Sequence, residues 1–149
     1  NNAMLLNEFT SENENLYFDN NFFPDYNGGN FTIQMDVEIN EDISLYDSDG
    51  GNLISADWPH VALGYSAPNY SPSPGCGGVP GESYPSIFFQ LRSNECWYVV
   101  DVGLEDYIGS CINIAGIFEN DTIILFIDGQ LVAEEGFLGD VSLRFVADL

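Results

Sequence analysis

The feature of this chain that most restricts its fold is a hydrophobic period of two. Between residues 31 and 39, apolar side chains at every second position alternate with Thr, Gln, Asp and Glu. Such alternation places apolar side chains on one face of a strand and polar side chains on the other. The same period recurs at residues 61–65, 87–91 and 141–147. No window combines a helical period with capping residues, so the pattern predicts strands and no helix longer than about two turns.

Further strands are predicted at residues 3–9, 112–118 and 131–133, and two segments, 96–100 and 123–127, are apolar on both faces. A strand that is apolar on both faces is expected in the middle of a packed sheet. Turns are predicted at residues 93–95, at Asn120-Asp121 and at Asp128-Gly129. Short strands separated by frequent turns are typical of an antiparallel β-sandwich or barrel.

The length of 149 residues predicts a single domain that spans residues 1–149. Residues 1–30 are rich in Asn and Glu and read as an N-terminal extended segment. Residues 66–85 contain most of the prolines and several glycines, which predicts a long irregular loop. Long loops in compact domains are often functional.

The charge balance excludes several partners. The chain has 24 Asp and Glu residues against two basic residues, Arg92 and Arg144, with no Lys, and its formal net charge is -22. Binding to nucleic acid or to an anionic membrane surface requires clustered Lys and Arg, so neither is expected. No segment is long and apolar enough for membrane insertion. Disorder is not expected either, because the chain is 45% hydrophobic and 14% aromatic.

Three Asn-x-Ser/Thr sequences, which begin at Asn30, Asn69 and Asn120, indicate a secreted or cell-surface glycoprotein. Asn30 and Asn120 adjoin turns and are the favoured glycosylation sites. Asn69 is the weaker acceptor because Pro72 follows its Ser directly. The alternative is that all three are ordinary turn asparagines.

The three cysteines predict one disulfide and one remaining thiol. Strands 86–92 and 96–102 are expected to form a hairpin with Cys96 at its turn end. The loop that holds Cys76 and the segment that leads to Cys111 both approach the far end, about 20 Å away at about 3.3 Å per residue. Because a disulfide requires Cα atoms within about 7 Å, this geometry predicts a Cys76–Cys111 disulfide. The length of the loop leaves a pairing with Cys96 open.

Residues 114–133 run from one strand through a polar turn into a strand that ends in Asp128-Gly129, followed by Leu131 and Val132. This sequence resembles the laminin-G-like family of concanavalin A-like jelly-roll domains. The resemblance implies an all-β, antiparallel two-sheet β-sandwich of jelly-roll type. It also implies an extracellular and mostly non-catalytic role in binding glycans, proteins or calcium, or in assemblies. A generic β-sandwich with an Asp-Gly hairpin is the alternative.

An acidic turn around Asp47 and Asp49 has the composition of a calcium site, because Ca²⁺ prefers closely spaced carboxylate and carbonyl oxygens. The alternative is an Asp-Gly turn without metal, and no other cofactor is expected. Gln34, Asp36 and Glu38 share one strand face. However, an amide at Gln34 cannot act as the nucleophile of a glycosidase carboxylate pair. The single histidine, His60, has no catalytic sequence context, so no enzymatic activity is expected.

These observations predict an extracellular, non-catalytic β-sandwich that is a structural or adhesive subunit of a self-associating surface assembly. The absence of Lys motivates this hypothesis, because natural sheets often protect exposed edges with Lys. A homo-oligomer or filament is the expected product. The alternative is a glycan-binding, lectin-like domain that uses loop 66–85 and its aromatic residues, with calcium as an accessory ion.

Overall fold

The computed structural model describes residues 30–39, 51–56, 61–66, 85–93 and 96–136. These residues form eight strands and one 3-10 turn. The strands are β1 (Phe31–Glu38), β2 (Gly51–Ala56), β3 (Val61–Ser66), β4 (Ser86–Ser93), β5 (Cys96–Gly103), β6 (Cys111–Glu119), β7 (Thr122–Ile127) and β8 (Gln130–Gly136), and the 3-10 turn spans Glu105–Tyr107.

The strands form two four-stranded antiparallel sheets. One sheet has the order β1-β6-β7-β8 and the other has the order β2-β3-β4-β5. β4 and β5 of the second sheet face β7 and β8 of the first. The architecture is therefore an all-β, antiparallel two-sheet sandwich, which confirms the fold class predicted from the hydrophobic period. Within the described residues, the 3-10 turn is the only helical element.

The core lies between the two sheets and is built from the alternate residues that the period of two predicted. In the first sheet, Ile33, Gly116 and Leu125 are directly opposite one another across β1, β6 and β7. Phe89 of the second sheet packs onto this row and is fully buried. The ring of Phe31 meets that of Phe89 edge-on, with centroids 6.3 Å apart. Apolar burial of this extent is the main source of stability in a sandwich of this size.

The predicted turns have the expected backbone. Asn120 and Asp121 have φ angles of 49° and 58°, and Asp128 and Gly129 have 51° and 74°. Two consecutive residues with positive φ are characteristic of a two-residue hairpin turn whose twist matches that of the flanking strands. Asn, Asp and Gly tolerate this conformation best. The predicted hairpin of β4 and β5 is also present, with Ser93 opposite Cys96 at its turn end.

Two features differ from the sequence-based expectations. Strand β2 was not predicted from the sequence, because its first two residues, Gly51-Asn52, are typical of a turn. β5 was expected inside a sheet, but it is last in its sheet among the described strands. Several predicted elements lie outside the described residues. They are the strands at 3–9 and 141–147, segment 1–29 and loop residues 67–84.

Candidate functional site

Strand β1 is a long and regular edge. It pairs with β6 over eight consecutive residue pairs without a register shift. No strand among the described residues pairs with its other side. Its inward residues are apolar, whereas Thr32, Gln34, Asp36 and Glu38 are exposed on the outer face, as predicted. A straight edge without an inward charge is a template for pairing with another strand.

Two of the other three terminal strands, β2 and β8, lack one or more of these properties. β2 is short and has a register shift between Asn52 and Ile54. β8 has a shift opposite Leu125 and Phe126, and it places Glu135 opposite the buried Ile123. Partial burial raises the pKa of the Glu135 carboxyl above its ordinary value. Bulges and inward-pointing charges both discourage edge-to-edge pairing. β5 is as regular as β1, since it pairs with β4 over eight residue pairs without a register shift.

A hydrogen-bond network ties the outer face of β1 to its neighbours. Gln34 Nε2 donates to Asn113 Oδ1 and Asn113 Nδ2 donates to Asp36 Oδ1, each over 2.7 Å. The Asn113 and Asp128 backbones are joined to the same network. The Asn113 N–H donates to Asp128 Oδ1 over 2.9 Å, and the Asp128 N–H donates to the Asn113 carbonyl over 2.8 Å. These contacts fix β1 on β6, so the edge is held in one register.

The two favoured glycosylation sites lie side by side at one end of this sheet. Asn30 and Asn120 are exposed, and the Asn120 N–H donates to Asn30 Oδ1 over 3.3 Å. An N-linked glycan is attached through Nδ2, so modification of Asn30 leaves the accepting Oδ1 in place. The sequence did not predict that these two sites are adjacent, because the contact joins residues far apart in the chain.

Glycosylation at these positions predicts a defined mass pattern. Native material treated with an amidase that removes N-linked glycans should lose the mass of glycans at Asn30 and Asn120, because both side chains are accessible. Asn30→Gln and Asn120→Gln should each lose the mass of one glycan in intact-mass measurement. Asn69→Gln is the control, and it should lose less glycan mass on average because Asn69 is the weaker acceptor. Native material of unmodified mass would contradict both the sites and passage through a eukaryotic secretory route.

Cys111 begins β6 opposite Glu38 and is exposed, with no disulfide to another described cysteine. Cys96 begins β5 at the turn end of its hairpin, as predicted. Cys76 lies outside the described residues, so the Cys76–Cys111 disulfide stays a prediction. The other predicted site residues outside the described ranges are Asp47, Asp49 and Asn69, and the single histidine, His60, lies outside them as well.

The outer face of the second sheet holds polar groups that no sequence motif marks. Ser86 Oγ and Asp101 Oδ2 are buried and have no hydrogen-bond partner among the described residues. Phe88, which is opposite Asp101 on this face, is 2% exposed and lies outside the core between the sheets. A serine or aspartate in a strand is normally interpreted as facing solvent. The sequence around Ser86 and Asp101 therefore did not indicate that these two oxygen atoms are buried.

Two further features bear on the nature of the site. Among the described residues, no group of three or more His, Cys, Asp and Glu side chains is arranged to hold a metal ion. Across the same ranges, no helix has the length and apolar character that spanning a bilayer requires.

Comparison with protein-family models, with curated proteins and with solved structures finds no match to this chain. The fold class rests on the strand pairing alone. The resemblance of residues 114–133 to laminin-G-like domains stays an expectation.

Proposed function

We propose that this protein is a non-catalytic, extracellular structural or adhesive subunit that associates with copies of itself through strand β1. The observation that carries the proposal is the eight-residue edge of β1, with its unshifted register and its freedom from inward charge. An added strand extends such a sheet through main-chain hydrogen bonds. The identical edge of a second copy is the simplest occupant, because two-fold pairing uses one surface twice.

Charge selects the register of this pairing. With Gln34 opposite Gln34 of the second copy, Asp36 lies opposite Thr32, and Ile33 lies opposite Met35 on the inner face. Polar side chains then meet polar ones, and apolar side chains meet apolar ones. A register with Asp36 opposite itself would place two carboxylates together, which is destabilising. The Gln34-centred register therefore avoids direct repulsion despite the net charge of -22.

The long-range repulsion between two acidic copies predicts a salt dependence. At 0.1 M salt, repulsion between exposed charges that are more than about 10 Å apart is largely screened. Association of the wild-type chain should therefore strengthen between low and moderate ionic strength. Hydrophobic contact alone would respond much less over this range.

A charge placed inward on β1 tests the proposal. Val37→Lys should shift the protein from dimer to monomer, because an inward lysine on an edge strand opposes pairing. The matched control is Val132→Lys on β8. Both valines are half-buried on edge strands and pack against the core, so both variants should lose similar amounts of stability. Light scattering coupled to size-exclusion chromatography over a hundredfold range of concentration, with thermal unfolding of each variant, measures both effects.

The possible outcomes of this experiment show whether β1 is the interface between copies. Loss of the dimer in Val37→Lys alone supports β1 as the interface. Equal dissociation of both variants would show that the loss of stability, and not the edge, is responsible. A wild-type chain that stays monomeric at every concentration and salt level would refute self-association.

A further inference from the structure

We propose that the outer face of β4 and β5 binds a primary ammonium group in the space above Gly103, between Ser86 and Asp101. This inference is independent of association through β1, because it concerns the opposite sheet. The ligand class is a small alkylamine.

The strand pairing brings the three residues together. Ser86 and Gly103 are directly opposite each other, and Asp101 is two residues before Gly103 on β5. Directly opposed residues and residues two apart share one sheet face, so Ser86, Asp101 and Gly103 lie next to one another on the outer face of the sheet. The Leu104 N–H donates to the Pro85 carbonyl over 2.9 Å immediately beyond this pair. This hydrogen bond holds the ends of the two strands together.

No described residue fills the position above Gly103. A Cβ atom built on Gly103 would have no heavy atom of the described residues within 4 Å apart from its chain neighbours. The backbone of Gly103 is half-exposed, so the space is open to solvent. By contrast, Ser86 is 0% exposed. A ligand that enters over Gly103 therefore lies beside a buried serine on the neighbouring strand.

Both polar atoms need a partner. Ser86 Oγ and Asp101 Oδ2 are buried, and neither has a hydrogen bond to the residues that the structure describes. A buried, unpaired polar group costs about 1 to 3 kcal/mol, and more when it is charged. An ionised carboxylate only accepts hydrogen bonds, and a serine hydroxyl accepts them as well as donating one. A group that donates several hydrogen bonds and carries a positive charge has the chemistry that both atoms lack.

An ammonium group fits this description better than a metal ion does. It carries three donors, and two of them suffice for Ser86 and Asp101. Calcium needs six to eight oxygen ligands, and the described residues hold no cluster of three or more metal-binding side chains. The chain also has no Lys to supply an ammonium group of its own, and its net charge of -22 attracts cations.

Titration of the full-length chain with ethylammonium chloride, followed by amide chemical shifts in NMR, tests the site. We expect saturable shifts confined to residues 85–86 and 101–104. Asp101→Asn should weaken binding by about tenfold or more, because it removes a charge-assisted hydrogen bond. Gly103→Ala should also weaken binding, because its methyl group occupies the space while leaving both oxygens in place.

The matched control is Glu105→Gln, which removes one exposed negative charge close to the site. It should leave binding unchanged if the contact with Asp101 is specific. Titration with the peptide acetyl-Gly-Lys-Gly-amide presents the same ammonium group on a side chain, and saturable binding of either probe supports the site. The probe that binds more tightly shows whether the site prefers a free alkylamine or a lysine side chain.

Three results would overturn the proposal. Equal weakening by Glu105→Gln and Asp101→Asn would reduce the effect to general attraction of cations. Saturable binding of glycerol without binding of either amine would assign the site to hydroxyl ligands. Absence of saturable shifts with all three probes would mean that water alone fills the space.

Discussion

Phe89→Ala is expected to lower the free energy of unfolding by about 4 kcal/mol, because truncation of a buried aromatic side chain loses its transfer energy and leaves a cavity. Phe89 is fully buried at the centre of the sandwich. Its ring contacts the Phe31 ring edge-on, at an interplanar angle of 75°, and that pair is lost as well. Because domains of this size have a total stability of about 5 to 15 kcal/mol, this single change removes a large share of it.

Equilibrium unfolding in urea, with tryptophan fluorescence and circular dichroism as independent probes, measures this loss. Phe126→Ala is the matched control, because Phe126 is half-buried on the outer face of β7. Its loss should be about 1 kcal/mol. Equal losses in the two variants would contradict the placement of the core between the sheets.

The local features of the fold were predictable from sequence because they depend on neighbouring residues. The exposed and buried faces of β1 follow directly from alternation between residues 31 and 39. Asn120-Asp121 and Asp128-Gly129 adopt positive φ because these residue types tolerate it between strands. The fold class followed from the recurrence of these local signals along the chain.

The order of the strands was not predictable, since it depends on contacts between distant parts of the chain. β1 pairs with β6, some eighty residues later. β5 carries apolar residues on both faces, yet it is last in its sheet among the described strands. Its outward Trp97 and Val99 remain half-buried. Alternation shows that a face is apolar, but it does not show what covers that face.

The candidate sites also combine local features that were predictable from sequence with long-range contacts that were not. Exposure of Asn30 and Asn120 was predicted from adjacent turns, whereas their mutual contact was not. Ser86 and Asp101 were missed because a polar residue in a strand usually faces water. A signal for Gly116 was present, since an isolated glycine within a strand often marks a close approach of another group. The sequence did not indicate that this group is Phe89.

Gly116→Ala is expected to destabilise the protein by about 2 kcal/mol through overpacking. A Cβ atom on Gly116 would lie 2.6 Å from Cγ and 2.8 Å from Cε2 of Phe89. Cγ is the ring atom nearest the backbone, and the ring is fully buried. The ring therefore cannot move aside cheaply, so either the sheets separate locally or Phe89 leaves its preferred rotamer.

Gly136→Ala is the control for the intrinsic effect of adding a methyl group to a strand. Gly136 lies at the end of β8, and a Cβ atom there would meet no atom of the described residues within 4 Å. Alanine should be neutral or stabilising at this position, because glycine loses more conformational entropy on folding. The difference between the two Gly→Ala variants in urea unfolding isolates the clash with Phe89. Similar behaviour of the two variants would contradict the close approach of the sheets.

A double-mutant cycle of Gly116→Ala and Phe89→Ala separates this clash from any other effect of alanine at position 116. In the Phe89→Ala background the ring is absent, so the methyl group at position 116 enters the cavity and finds no obstacle. Gly116→Ala should then cost nothing or recover some stability, which gives a coupling energy of about 2 kcal/mol between the two sites. If the cost of Gly116→Ala were the same in both backgrounds, the methyl group would be clashing with something other than Phe89, and the packing of β4 against β6 would need to be revised.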